Sequence, residues 1–266
     1  MLISKPSPLL STGAGFSSTA TVVTNTAGLF DGRSGASSEL AWPAGNSLSF
    51  DVSWSAGISP RIAALVNLTG LANTDFSVTV ALKEVGGDYT YQSGSVDVRA
   101  HLTNERSAVR VFDDGLNSCD GARFTITDTD GAMTEGDPIG IGEVVVADAW
   151  DIALAQNLSD GWAETAGENL SKSGQLYLQP VPAGRKIDVS SVMADIETVY
   201  GAMAAAQASL ANDPRALVIV DPGTQDEIWR AWMYARASAI TSKNFDGSAR
   251  ASASMEFREI VGLSNF

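Results

Sequence analysis

Two runs near the middle of the sequence have patterns typical of β-strands. Residues 124–131 read Phe-Thr-Ile-Thr-Asp-Thr-Asp-Gly, so apolar and polar positions alternate until Asp and Gly break the pattern at a turn. Residues 139–147 are almost entirely apolar, which indicates a strand buried on both faces. Together the two runs predict neighbouring strands of an antiparallel β-sandwich.

The N-terminal half contains further strand patterns separated by Gly, Asn, Asp and Ser. They lie near residues 48–52, 61–69, 75–82, 88–92, 96–99 and 108–112. This spacing of short runs predicts an antiparallel jelly-roll β-sandwich over residues 1–155. Residues 150–172 have weak periodicity, and we expect them to form a crossing connection.

The C-terminal part predicts a smaller β-domain over residues 156–266. Runs at 175–178 and 185–189 flank a turn with Pro180, Pro182 and Gly184, which suggests a hairpin. Apolar residues then recur four and three positions apart, which predicts one packed α-helix over 191–212: Val192, Ile196, Val199, Met203, Ala206 and Leu210. Strands are predicted at 216–220, 229–236 and 249–261. The predicted fold class is therefore mainly β, a sandwich followed by a β-domain with one helix.

Composition excludes several classes of function. The formal net charge of −14 disfavours a phosphate-binding surface, so we expect no specific nucleic-acid binding. No apolar run approaches the roughly 20 residues of a membrane helix, so we expect no membrane insertion. Cys119 is the single cysteine, which excludes a disulfide within the chain and leaves no thiol cluster. We predict no cofactor.

The sequence predicts no enzyme. His101 is the single histidine and has no nucleophile motif beside it. Asp128 and Asp130 resemble part of a calcium loop, but position twelve from Asp128 is Ile139 instead of Glu. Turn-forming aspartates are the favoured interpretation, with a structural calcium as an alternative. A glycan hydrolase remains open only if two of the clustered carboxylates converge in a cleft.

Aromatic residues supply the candidate binding and interface positions. Tyr89 and Tyr91 are two positions apart and are expected on one strand face, where they and Asn117 could contact a glycan. Trp54 alternates with apolar strand positions and is predicted to be core. Trp229, Trp232 and Tyr234 form the densest aromatic group of the second domain. They predict a core or subunit-contact role over ligand stacking, and we assign them to an oligomer interface.

The runs at 124–131 and 139–147 resemble the last strands of galactose-binding-like (discoidin-type) jelly rolls of tailed-phage virion proteins. The run Leu29-Phe-Asp-Gly32, followed by Trp42, resembles the opening of such domains. The order of motifs continues through residues 173–177, the predicted helix, Asp221-Pro222 and residues 254–260. Over almost the whole chain this order is similar to distal tail or baseplate ring proteins of siphophages.

The resemblance implies a structural virion protein of the tail tip, assembled in the host cytoplasm. Its subunits would form a homo-oligomeric ring, most often a hexamer, between the tail tube and the baseplate hub. The ring would leave a passage for DNA. The alternative is a carbohydrate-binding receptor-recognition module of the virion, with a host surface glycan as partner.

Overall fold

The computed structural model describes residues 1–10, 14–24, 26–31, 38–71, 75–100, 106–113, 116–152, 156–162, 166–170, 176–180, 185–195, 199–220, 232–240, 244–245 and 250–259. These residues form a mainly β protein with several antiparallel sheets, which confirms the predicted fold class. Contacts divide the chain into two compact units. The first holds Met1–Asp151 and the segment that begins at Ala216, and the second holds Ile152–Arg215 and the segment that begins at Met233.

The first unit contains a five-stranded antiparallel sheet. In spatial order its strands are β3 (Ser38–Ala41), β12 (Pro138–Ala147), β5 (Ile62–Thr69), β10 (Arg106–Val111) and β9 (Arg99–Ala100). Strand β12 is buried from Ile139 to Ala147, as its continuous apolar run predicts. Strand β5 pairs with β12 from Gly140 to Ala147, and β3 pairs with its other edge from Pro138 to Ile141.

A six-stranded antiparallel sheet packs opposite it. Its main order is β2 (Gly15–Ser18), β4 (Ser47–Ile58), β11 (Cys119–Asp128), β6 (Phe76–Glu84) and β7 (Tyr89–Gln92), and β8 (Val96–Asp97) also pairs with β6. Burial alternates along β4, so Leu48, Phe50 and Val52 point to the core while Ser47, Ser49 and Asp51 point outward.

One hydrophobic core lies between these two sheets and makes them a β-sandwich. Phe50 stacks on Phe124 with 5.3 Å between ring centroids. Trp54 is 4% exposed, and its Nε1 donates to the carbonyl of Cys119 at 2.9 Å, which confirms it as a core residue. Burying a side chain of this size contributes about 1.5–3 kcal/mol.

Three further strands of the first unit pair with one another. Strand β1 (Leu2–Ser4) lies between β13 (Ala149–Asp151) and β18 (Arg215–Ile219), and both pairings are antiparallel. Leu2 and Ile3 are fully buried. The Ser4 hydroxyl accepts a hydrogen bond from the Leu217 amide at 2.8 Å, which gives a buried polar group its partner.

The second unit is a sheet with one helix. Its sheet pairs β14 (Gln156–Trp162) with β17 (Arg185–Asp195), β17 with β21 (Arg250–Glu259), and β21 with both β19 (Trp232–Ile240) and β20 (Asn244–Phe245). A separate hairpin pairs β15 (Ala166–Leu170) with β16 (Leu176–Pro180). Helix α1 (Ala204–Asn212) follows a π-helical turn at Val199–Met203 and buries Ala206 and Leu210.

Three sequence predictions for the second unit need correction. The helix predicted over 191–212 begins only at Ala204, because residues through Asp195 extend β17 and pair with β21. The connection predicted over 150–172 contains β14 and β15, whose polar sequences depend on partner strands instead of a strong pattern of their own. Strand β16 pairs with β15, so the expected hairpin with 185–189 does not form.

No helix among the described residues has both the length and the apolar character needed to cross a membrane.

Candidate functional site

A groove of about 430 Å³ opens on the outward face of the six-stranded sheet. We call it the polar groove. Its lining residues come from the β2 edge, from β4 and from β11, and they are Ser17, Ser18, Thr19, Ser49, Phe50, Asp51 and Arg123. Six of the seven carry a polar side chain. The groove can therefore offer hydrogen bonds to a bound polar molecule.

A charged pair forms one wall of the polar groove. Arg123 donates from Nε to Oδ1 of Asp51 at 2.6 Å and from Nη2 to Oδ2 at 2.8 Å. Two parallel bonds of this kind hold both planar groups in one orientation. The site thus presents an ordered carboxylate and guanidinium instead of two independently rotating side chains.

Tyr89 covers the guanidinium from one side. The Arg123 Cζ atom lies 4.4 Å from the centroid of the Tyr89 ring, which is a close cation–π contact. The three side chains therefore form one cluster, which we call the Asp51–Arg123–Tyr89 cluster.

The cluster shifts the pKa of its own members in opposite directions. The hydrogen bond from Arg123 is the main reason why the pKa of Asp51 is below its ordinary value. Burial, followed by the negative charge of Asp51, raises the pKa of Tyr89 to about 12. At neutral pH Asp51 is therefore ionised and Tyr89 is neutral.

Strand register explains why these residues meet. Asp51 lies directly opposite Ser17 on β2 and opposite Arg123 on β11, so all three share the outward face. Arg123 in turn faces Ala81 on β6. The small Ala81 side chain leaves space above the sheet for the Arg123 guanidinium and the Tyr89 ring.

The prediction that Tyr89 and Tyr91 share a face is wrong. Strand β7 has a register shift, at which Tyr89 pairs with Lys83 and Tyr91 pairs with the adjacent Leu82. Two consecutive residues of β7 thus lie opposite a single residue of β6, as in a β-bulge. The bulge interrupts the alternation of side chains, so residues two positions apart on β7 point to opposite faces of the sheet. Tyr91 packs on the core and meets the Phe112 ring edge-on at 5.6 Å, while Tyr89 joins the outward cluster.

Asn117 is not brought to the polar groove. It is exposed, and its Nδ2 donates to Oε1 of Glu84 at 2.7 Å. Of the three predicted glycan contacts, the structure therefore brings Tyr89 alone to the cluster that borders the groove.

Asp128 closes the turn after β11. It is 1% exposed, and its carboxylate accepts hydrogen bonds from the amides of Gly131 at 3.2 Å and Met133 at 2.7 Å. These bonds match the turn interpretation of the aspartate cluster. Asp130 is exposed. Within the described part of the chain, no group of three or more His, Cys, Asp or Glu side chains could hold a metal ion.

The predicted interface residues cannot be located as a group. Trp229 lies outside the described residues, as does His101. Trp232 and Tyr234 belong to β19, but their side chains lie outside the described structure. The subunit interface stays a prediction.

Sequence reasoning did not single out Asp51 and Arg123. They are 72 positions apart, and no short motif joins them. The available signal was that each is a charged residue at an outward position of an alternating strand. Which outward residues would face one another required the strand register.

Three solved structures are similar to about half of this chain. The lectin domain of lectinolysin complexed with Lewis B antigen is 14% identical and has a TM-score of 0.38, with 53% of this chain and 96% of that chain covered. A Streptococcus pneumoniae fucose binding module is 16% identical over 54% of this chain and 95% of that chain, with a TM-score of 0.38. The family 32 CBM from C. perfringens NanJ in complex with galactose is 14% identical over 55% of this chain and 99% of that chain, also with a TM-score of 0.38.

No protein-family model matches the sequence, and no curated protein matches it.

Proposed function

We propose that this protein is a non-catalytic carbohydrate-binding protein and that the polar groove holds the sugar. The observation that carries the proposal is the bidentate Asp51–Arg123 pair on the wall of a hydroxyl-lined groove. Sugar hydroxyls both donate and accept hydrogen bonds, so they suit a site with fixed donors and acceptors. A preorganised pair also loses little conformational freedom when a ligand binds.

The cluster retains hydrogen-bonding capacity for a ligand. Arg123 has five N–H donors and uses two of them on Asp51. The carboxylate of Asp51 offers about four acceptor positions, of which Arg123 occupies two. Three donors and two acceptors remain, which suits the adjacent hydroxyls of a sugar ring.

Electrostatics in the cluster supports binding over catalysis. A glycosidase general acid needs a carboxyl group with a raised pKa, whereas Arg123 lowers the pKa of Asp51. The Tyr89 hydroxyl, with a pKa of about 12, is a poor base at neutral pH. Neither group is tuned for proton transfer.

Glycan binding can be tested with single variants of the full chain on a glycan array, followed by calorimetry on the best ligand. Arg123→Met and Asp51→Asn should each weaken binding about 10–100-fold, the equivalent of a lost charged hydrogen bond. Lys83→Met is the matched control, because Lys83 is a cation of the same sheet that pairs with Asp120 at 3.8 Å and does not line the groove. Unchanged affinity in Arg123→Met would refute the assignment of the site.

A second candidate function is a ring subunit of a phage tail tip. It is supported by the sequence resemblance of residues 124–131 and 139–147 and of the motifs that follow them. In that case the partners would be copies of this chain, the tail tube and the baseplate hub, and the location would be the virion. Native mass measurement and electron microscopy, alone and with tail-tube protein, test this candidate. A hexameric ring that Trp229→Asp disrupts would support it, and a persistent monomer would contradict it.

A further inference from the structure

Two rows of hydroxyl side chains continue from the polar groove across the centre of the six-stranded sheet. Each row consists of residues that lie directly opposite one another on the neighbouring strands β4, β11 and β6. The first row is Ser49, Thr125 and Thr79, and the second is Ser47, Thr127 and Ser77. We call these six residues the hydroxyl rows. All six stand at outward positions, because their strand neighbours are buried in the core.

The side chains of the hydroxyl rows are short, polar and uncharged. Each position has a short side chain, whereas the Asp51–Arg123–Tyr89 cluster stands higher at one end. Ser49 and Thr125 share a hydrogen bond of 2.9 Å. The hydroxyls of Thr79, Thr127 and Ser77 have no hydrogen-bond partner among the described protein groups, so they are available to a ligand.

The rows and the groove form a continuous surface. Ser49 belongs both to the first row and to the groove lining. From Asp51 to Ser47 the strand advances four residues, about 14 Å, which is roughly the length of three pyranose rings in an extended chain. The surface is therefore longer than a single sugar ring.

We propose that the polar groove and the hydroxyl rows together bind an internal segment of a neutral polysaccharide, about three rings long. The inference rests on the proposed glycan-binding function and adds the class of ligand. One ring contacts the Asp51–Arg123–Tyr89 cluster, and the following rings lie over the hydroxyl rows. Sugar hydroxyls exchange hydrogen bonds with the Ser and Thr hydroxyls, which can donate as well as accept.

Charge favours a neutral chain over an acidic one. The positive charge of Arg123 is balanced by Asp51, so the described lining of the groove holds no unpaired cation that would attract a uronic acid or a sialic acid. The formal net charge of −14 also disfavours anionic ligands.

The proposal can be tested with oligosaccharide series of one to six rings, titrated calorimetrically into the full chain. The neutral series are β-1,4-glucan, β-1,4-mannan and α-1,4-glucan, and the acidic series is α-1,4-galacturonan. We expect the affinity for at least one neutral series to rise tenfold or more from one ring to three and then to level off. We expect the galacturonan series to bind more weakly at every length.

A double variant tests the rows themselves. Thr79→Val with Thr127→Val removes two hydroxyls, keeps the β-branched shape, and breaks no hydrogen bond of the protein. It should weaken trisaccharide binding at least fivefold and leave monosaccharide binding unchanged. Thr90→Val is the control, since Thr90 is exposed on β7 outside the rows.

The outcomes separate this inference from the proposed function. Equal affinity for one ring and three rings, or a double variant with wild-type trisaccharide affinity, would overturn the extended site. If Arg123→Met still weakened monosaccharide binding in that case, the proposed function would stand. Tighter binding of galacturonan would overturn the preference for a neutral chain. If no saccharide of these series or of the glycan array bound, both proposals would fail.

Discussion

Replacing Asp128 with alanine should destabilise the first unit, because this carboxylate closes the turn after β11. The bond from the Met133 amide is the more important one, since it is 2.7 Å long and Met133 is 7% exposed. Losing a buried bond to a charged acceptor costs about 1.5–3 kcal/mol. The Gly131 amide is exposed and can bind water instead, so its 3.2 Å bond adds about 0.5–1 kcal/mol.

The expected loss in the free energy of unfolding is therefore about 2–4 kcal/mol. Urea unfolding followed by tryptophan fluorescence measures it. With an m value of about 2 kcal/mol per molar urea, the midpoint should fall by about 1–2 M. Asp128→Asn keeps one carbonyl acceptor and should lie between the wild type and Asp128→Ala. Asp113→Ala removes an exposed aspartate and should change stability by less than about 0.5 kcal/mol.

Two results would refute this reasoning. A loss below about 0.5 kcal/mol in Asp128→Ala would mean that the turn does not depend on the carboxylate. A wild-type midpoint that rises with calcium, by an amount that Asp128→Ala abolishes, would favour the calcium site over the turn.

Three further predictions concern the core and the cluster. Phe124→Ala should cost about 3–5 kcal/mol in urea unfolding because Phe124 is fully buried against Phe50, and a loss below about 1 kcal/mol would contradict that packing. Because the pKa of Asp51 is lowered in the folded state, its ionised form stabilises the fold at pH values above its ordinary pKa of about 4. This stabilisation is lost as the pH falls through the lowered pKa. Carbon NMR titration should show this pKa rising in Arg123→Met, and an unchanged titration would count against the ion pair. Tyr89, with its pKa raised to about 12, favours the fold below its ordinary pKa of about 10, and this effect is lost as pH rises through about 12. In ultraviolet titration Tyr89→Phe should remove a late-ionising phenol, and an identical curve would disprove the shift.

Local pattern predicted the strands of the sandwich well because the alternation of side chains is a property of each strand by itself. The predicted runs at 124–131 and 139–147 fall on β11 and β12, and the apolar residues of β11 are in the core. The same reasoning failed for β14 and β15. Their polar residues have no strong period, and pairing with neighbouring strands decides their conformation.

The helix shows the limit of periodicity within one segment. Apolar residues three and four apart predicted one helix over 191–212, yet residues through Asp195 pair with β21. The spacing of the apolar residues favours a helix, whereas pairing with β21 favours a strand. The local sequence shows the spacing but does not show the partner strand.

By itself the sequence determined that this protein is mainly β and that Trp54 is in the core. These properties follow from local alternation and composition. The tertiary structure alone decided that Asp51 meets Arg123 and that a β-bulge turns Tyr89 outward while Tyr91 enters the core. Both depend on strand register, which hydrogen bonds between distant segments establish, so no local pattern could predict them.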